Sequence, residues 1–394
     1  MKLKIGVFFG GASVEHEVSV ISALQAINNM DKEKYDIIPI YISKENYMYV
    51  GEKIGDIKEY KNIDKLLKKS QRVILINEEN KVKIMKYPFK KWKNNLYSYI
   101  DLAFPIVHGT NVEDGTLQGF FKTLKLPFVG PDVTSSAIGM DKYIMKTVLK
   151  DNNIPVLDCV NLNKREYIEN KDRVIKRIEE KVEYPVIVKP INLGSSVGIK
   201  IARSQKELEE AIEYAMQYSY KILVEKAITN LREINCSVIG DYYEAIASEC
   251  EEPISSDEIL SYEDKYLGEQ KGSGSKGMSS LHRKLPAEMS KEMREKIQTL
   301  AIQTFKLLGC NGVSRIDFII NNDTDEIFVN EINTIPGSLS FYLWEPVGLK
   351  YKELLDKIID LALKKQIEEK NITYDFNTNI LLNAKFGGAK GSKF

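Results

Sequence analysis

The apolar run Lys4–Phe9 (KIGVFF) breaks at Gly10-Gly11, the pattern of a buried strand running into a turn. Val18, Ile21, Leu24 and Ile27 then recur at three-residue spacing, which predicts a helix, and DIIPIYIS at 36–43 reads as a second strand. Strand–helix–strand at this spacing predicts a parallel α/β unit. IDLAFPIVHG (100–109) supplies a later strand of that sheet, and FVGPD (128–132) closes the domain. A second segment, 134–220, holds a helix (DKYIMKTVLKDNN), a strand (VLDCVNL), a charged helix over 164–181, and two short apolar runs around a Gly/Ser loop in VIVKPINLGSSVGIKI (186–201). The third segment opens at KILVEKA (221–227) and continues through the strand-like runs REINCSVIG and YEAIASE. It then crosses a polar stretch, 251–284, before a helix (289–308), the strands VSRIDFII and EIFVNEIN, and a last helix (351–369). The pattern therefore divides the chain into 1–133, 134–220 and 221–370, with 371–394 as a mobile tail. A connection as long as 251–284 inside a compact domain is usually functional or disordered.

Composition narrows the function classes. A chain of 394 residues exceeds what one core usually organises, in agreement with several domains. With 56 Lys+Arg against 56 Asp+Glu, the net charge of zero gives no reason to expect nucleic acid or an anionic membrane as partner. Cys159, Cys236, Cys250 and Cys310 form no C-x-x-C pair, and three histidines are too few to complete a zinc set around them. Scattered single cysteines fit a reducing compartment. The start MKLKIGVFFGG is too short an apolar run for a secretory leader, and no run reaches membrane-spanning length, so a cytoplasmic location is expected.

Four stretches carry chemistry. In the Gly/Ser loop, Gly194, Ser195, Ser196 and Gly198 offer lightly covered backbone N–H groups that can cradle phosphate oxygens. Lys189 precedes the glycines and a strand-like run follows them, so the loop reads as a hairpin flap and not a P-loop. In SRIDFII…EIFVNEIN, Glu331 and Asn333 are two apart and share a strand face, as do Arg315 and Asp317 on the preceding run. Asp317, Glu331 and Asn333 are oxygen ligands suited to Mg²⁺ shared with substrate phosphates, and Arg315 beside them can stabilise charge developing on an oxygen. FGGASVEHEVSVIS (9–22) puts glycines between a strand and a helix start, with Glu15 and His16 at the mouth. In HGTNVEDGTLQG (108–119), His108 follows a strand end, where α/β sheets gather ligands, and Glu113 or Asp114 reads as a helix cap.

GGASVEHEVS, HG…EDGTLQG, GMDK, VKPINLGSSVGI, RID and NEINTIPG occur in this order over roughly 3–365. Together they resemble the D-alanine–D-alanine ligase family of the ATP-grasp superfamily. The resemblance implies an α/β (α+β), three-domain ATP-grasp fold with an N-terminal Rossmann-like domain. It also implies ATP and Mg²⁺ (or Mn²⁺) as cofactors, D-alanine or a related D-amino acid as substrate, and a homodimer. The activity implied is ATP-dependent dipeptide formation through an acylphosphate, for peptidoglycan precursors. By the same resemblance Lys142 and Lys189 bind phosphates, Ser196 lies in the flap, and Lys265 reaches the γ-phosphate from the lid at 251–284. Glu225 and Ile228 meet the adenine, and Glu233 the ribose. Asp317, Glu331 and Asn333 hold magnesium, while Arg315 and the N–H of Gly337 stabilise the oxyanion. Glu15 holds the first ammonium group, linked through Ser195 to Tyr266, and His108 lies on the substrate side.

Three departures from the family pattern surround the second substrate. Val112 stands where glycine is usual, the run after Tyr266 is long and glycine-rich, and Tyr342 occupies the place of a serine that helps hold the second carboxylate, with Ser338 or Ser340 as substitutes. A ligase using D-serine, D-lactate or another amine therefore remains open beside the dipeptide ligase, although Tyr266 favours an amino nucleophile. A nucleotide-binding relic is the third reading, opposed by the intact Lys189, Asp317, Glu331 and Asn333.

Overall fold

The computed structural model describes residues 2–194, 196–254 and 283–373, and their strands form three sheets. The first contains β1 (Leu3–Gly10), β2 (Tyr35–Ile42), β3 (Met48–Val50), β4 (Gln71–Glu78), β5 (Lys81–Lys86), β6 (Leu96–Ile100) and β7 (Leu102–Pro105), in the order β6-β5-β4-β3-β2-β1-β7. β1 pairs in parallel with β2 and β7, and the helix His16–Asn29 makes the crossover, as the opening pattern predicts. Four further strands extend this sheet antiparallel through 48–100, a region in which the sequence reading marked no elements. Their alternation is present in retrospect, since Val73, Leu75, Val82 and Ile84 turn inward. The β4–β5 turn, however, is built on Glu79 and Asn80 at φ 52° and 61°, without the glycine that marks such hairpins.

The second sheet has the order β10-β9-β11-β8, from β8 (Cys159–Asn163), β9 (Val186–Pro190), β10 (Lys200–Ala202) and β11 (Lys221–Lys226). β9 and β10 pair antiparallel, so the Gly/Ser loop does tip a hairpin. β11 sits between β9 and β8, so the sheet break falls after 226 and not at 220. Ile222, Leu223 and Val224 are each wholly buried, a run that needs cover on both faces and a partner on both edges. The charged helix over 164–181 is two helices, Lys164–Glu169 and Lys171–Glu179, parted at Asn170 (φ −144°).

The third sheet is β14-β13-β12-β15-β16, from β12 (Leu231–Gly240), β13 (Ala245–Pro253), β14 (Arg283–Lys284), β15 (Gly312–Asn321) and β16 (Glu326–Asn333). The segments interlock. Met145 and Leu149 of the helix Lys142–Asp151 join the core under the third sheet, while Leu354, Leu355, Ile358 and Ile359 of the helix Tyr351–Lys370 pack into the core of the first. Among the described residues, no helix is long and apolar enough to cross a membrane.

Candidate functional site

A cleft of ≈ 820 Å³, measured to its open mouth, lies between the second and third sheets. It gathers Lys142, Lys189, Ser196, Glu225, Ile228, Glu233 and Glu331, residues from both sides that the sequence marked separately. Strand geometry explains the convergence. Lys189 pairs opposite Leu223, so Glu225, two residues further, lies on the same face. Lys189 Nζ is ion-paired with Glu225 Oε1 and stands 3.3 Å from Asn330 Oδ1. Lys142, at the first position of its helix, donates to Leu193 O of the Gly/Ser loop (2.8 Å) and lies 3.2 Å from Glu331 Oε2. Ile187, Ile199, Ile201, Leu231 and Ile319 form an apolar wall, so the cleft sets an apolar surface beside a group of lysines and carboxylates.

Across β15 and β16, Asp317 is registered opposite Glu331 and Arg315 opposite Asn333, the arrangement the same-face spacing predicts. Arg315 grips Asp317 through both carboxylate oxygens (2.6 and 2.7 Å), and Asn333 Nδ2 donates to Asp317 Oδ2 at 2.9 Å. Burial opposes the Arg315 charge, but Asp317 outweighs it and holds the guanidinium pKa well above its ordinary value. No cage of three or more His, Cys, Asp or Glu exists among the described residues. The donor set is two carboxylates and an amide, which fits a hard cation that takes its other ligands from phosphate and water.

The N-terminal segment closes on this hairpin from the other side. His108 Nδ1 donates to Ile335 O (2.8 Å), and its Nε2 lies 3.0 Å from Ser22 Oγ. Burial lowers the His108 pKa, which keeps the ring neutral, and the carbonyl contact fixes the proton on Nδ1. Glu113 is buried and accepts from the N–H groups of Gly109 (2.9 Å) and Ile335 (2.8 Å) and from Thr334 Oγ1 (3.1 Å). Of the two acids read as helix caps, Asp114 serves the local turn, accepting from Asn111 and Thr116, whereas Glu113 accepts from Gly109 and also ties that turn to the distant Ile335. Glu15 is buried at the helix entry, and a β-carbon on Gly194 would stand 3.1 Å from both its carboxylate oxygens. The Gly/Ser flap thus lies directly over Glu15. The unusual Val112 is buried against Gly11 (φ 96°), where any β-carbon would collide with it.

The D-Ala–D-Ala ligase N-terminal family model matches residues 4–131, and the C-terminal model matches 148–360. The chain belongs to the D-alanine–D-alanine ligase family. It is 40% identical to the D-alanine–D-alanine ligase of Thermosipho melanesiensis over 96% of this chain and 98% of that protein. It is 42% identical to that of Caldicellulosiruptor bescii, covering 95% and 98%. Among solved structures it resembles the D-alanine–D-alanine ligase from Coxiella burnetii (TM-score 0.76, 31% identity, 94% and 96% covered). It also resembles the VanG D-Ala:D-Ser ligase from Enterococcus faecalis (TM-score 0.75, 32% identity, 92% and 100% covered). The fold is the ATP-grasp fold of these ligases.

The stretch that follows β16, where Tyr342 departs from the family pattern, is irregular. Gly337 opens a 3₁₀ stretch, Gly337–Leu343, in which Ser338, Leu339 and Ser340 all hold positive φ near 50°, a strained conformation for residues with side chains. Ser338 Oγ donates to Gln25 Oε1 (2.7 Å) and its N–H donates to Ser22 Oγ (2.8 Å), while Ser340 is wholly buried. Neither serine lines the cleft. Tyr342 is also buried: its hydroxyl donates to Glu251 Oε1 (3.0 Å), and the Arg283 guanidinium stacks 4.0 Å over its ring. Ser195, Lys265 and Tyr266, and the lid assigned to 251–284 except for its two ends, lie outside the described residues, as does all of the tail after 373. Sequence reading missed Lys146, Asn330, Glu251 and Arg283. The first had a signal, lying four residues after Lys142 on the same helix, one turn along.

Proposed function

We propose that the chain is an ATP-dependent D-alanine–D-alanine ligase that supplies a dipeptide for peptidoglycan precursors. The observation that carries this reading is the convergence of Lys142, Lys189, Glu225, Ile228, Glu233 and Glu331 on one cleft, beside the registered Asp317–Glu331 pair. Lys142 and Lys189 neutralise the nucleotide's phosphates, and Ile228 with the apolar wall takes the adenine. Asp317, Glu331 and Asn333 would hold Mg²⁺, which when bound screens phosphate charge. A carboxylate oxygen of the first amino acid attacks the γ-phosphorus, ADP leaves, and an acylphosphate forms. The amine of the second amino acid attacks that carbonyl, phosphate departs with the C–O bonding pair, and the amine loses a proton. Glu15 holds the first ammonium group, while Arg315 and the Gly337 N–H face the oxygen on which charge develops. His108 and Glu113 clamp Ile335 and so fix the position of Gly337 two residues on.

Mass spectrometry of products from ATP, Mg²⁺ and a panel of D-amino and D-hydroxy acids tests the reading. The expected product is the D-alanine dipeptide with equimolar phosphate, and no phosphate release with any acid in the panel rejects it. Lys189→Ala is expected to slow phosphate release by about 10²-fold or more. A second reading, D-serine as the attacking amine, is favoured by the VanG resemblance together with Tyr342 in the serine's place. A D-Ala–D-Ser product exceeding the D-alanine dipeptide would select it.

A further inference from the structure

Lys146 has no part in the chemistry above. It lies one helical turn after Lys142, is 2% exposed, and places Nζ 3.0 Å from Glu225 Oε2. The other oxygen of that carboxylate holds Lys189 Nζ. Two lysines therefore share one carboxylate, and Glu225 itself is 1% exposed. The two cations differ in access. Lys189 lines the cleft and reaches Asn330, next to Glu331, whereas Lys146 is absent from the lining and approaches Glu225 from behind, beside Cys159 and Leu157. Burying an ammonium group is costly, so its retention there calls for a reason beyond packing.

We propose that Lys146 is a positioning residue that keeps Glu225 paired while Lys189 shifts its Nζ from that carboxylate onto the phosphates of a bound nucleotide. The inference rests on reading the cleft as the nucleotide site. With Lys189 as its single partner, Glu225 would be left as an isolated buried charge whenever Lys189 moved, and that penalty would be subtracted from nucleotide affinity. With Lys146 in place, the carboxylate retains a counter-ion throughout, and Lys189 becomes the exchangeable member of the pair. Burial lowers the Lys146 pKa, and Glu225 opposes that shift without reversing it, so the inference stands on the geometry of the shared carboxylate.

The test is calorimetric titration of the full chain with adenosine and with ADP. In Lys146→Met, Lys189 is the sole partner of Glu225. ADP affinity is then expected to fall about tenfold or more while adenosine affinity changes by less than about threefold. Lys146→Arg is expected to restore ADP binding to within about threefold of wild type. Parallel losses for both ligands would show a merely structural role and overturn the proposal, as would unchanged ADP affinity in Lys146→Met. Should that variant not fold, Lys146→Gln, polar but uncharged, gives the same ratio. Failure of ADP to bind the wild type would overturn the nucleotide reading of the cleft, and this proposal with it, and so differs from failure in the variant alone.

Discussion

Two of the buried glutamates, Glu225 and Glu113, are driven in opposite directions by their surroundings. Glu225, between the second sheet and the helix Lys142–Asp151, loses solvation on burial, but Lys146 and Lys189 outweigh that loss and hold its pKa below the ordinary carboxylate value. Glu113, at the junction of the N-terminal segment with the β16 loop, has N–H and O–H donors but no cation. Burial dominates there, the nearby Glu15 adds to it, and the pKa is raised to about 7. Equal burial thus yields a fixed charge in one place and a titrating group in the other. The first suits an electrostatic frame for nucleotide phosphates; the second suits a hinge-like tie that needs hydrogen bonds more than charge.

Removing the charge at each position should separate the two roles, and the larger effect belongs to Glu225. Glu225→Gln leaves two buried ammonium groups beside a neutral amide, and breaking a buried pair in this way costs about 3–5 kcal/mol. A matching drop in unfolding midpoint at pH 7 is expected, by circular dichroism in urea. If Glu225→Gln were no worse than Glu113→Gln, the distinction would fail.

Glu113→Gln sharpens the comparison through pH. The folded state holds the Glu113 proton more tightly than the unfolded chain, whose carboxyl titrates near 4.5. Glu113 therefore favours folding most below pH 4.5, and the benefit is lost as pH rises towards 7. The span corresponds to about 3 kcal/mol at most. The melting temperature of Glu113→Gln should accordingly gain on wild type between pH 4.5 and 7. His108 works the other way: its lowered pKa makes the fold less stable as pH falls below its unfolded value of 6.5. That contribution is common to both proteins and cancels in the difference. A flat difference across the window would mean that Glu113 is already ionised in the fold.

The contrast also explains which parts of the site were readable in advance. Same-face spacing on β15 and β16 brings Asp317, Glu331, Asn333 and Arg315 together, because a period of two is fixed by strand geometry alone. The flap was legible for the same reason, as apolar runs around a Gly/Ser loop. The antiparallel extension at 48–100 was not, since the β4–β5 turn at Glu79-Asn80 carries no glycine and both of its strands are only partly buried. Nor could spacing show that Glu113 reaches Ile335, 222 residues away, instead of capping its own helix. Tertiary contacts of that kind leave no local pattern.

The smallest expected effect concerns another buried acid, Glu251, which accepts from Tyr342 (3.0 Å), Asn235 (3.0 Å) and Arg283 (2.7 Å). Here a cation and neutral donors are combined, intermediate between Glu225 and Glu113. Tyr342→Phe deletes one donor and leaves two, so the cost should be about 1 kcal/mol, the net worth of a typical intramolecular hydrogen bond. Burial raises the Tyr342 pKa and Glu251 reinforces the shift, so the phenol remains a donor at neutral pH and the loss should not vary between pH 6 and 8. Steady-state kinetics then decide what the tyrosine does in the place of the family's serine. If its only task is to brace Glu251, the KM values for ATP and for both amino acids should move together or not at all. A rise confined to the KM of the attacking amino acid would instead place Tyr342 at the second substrate, and would mark Glu251, through Arg283, as part of what selects the nucleophile.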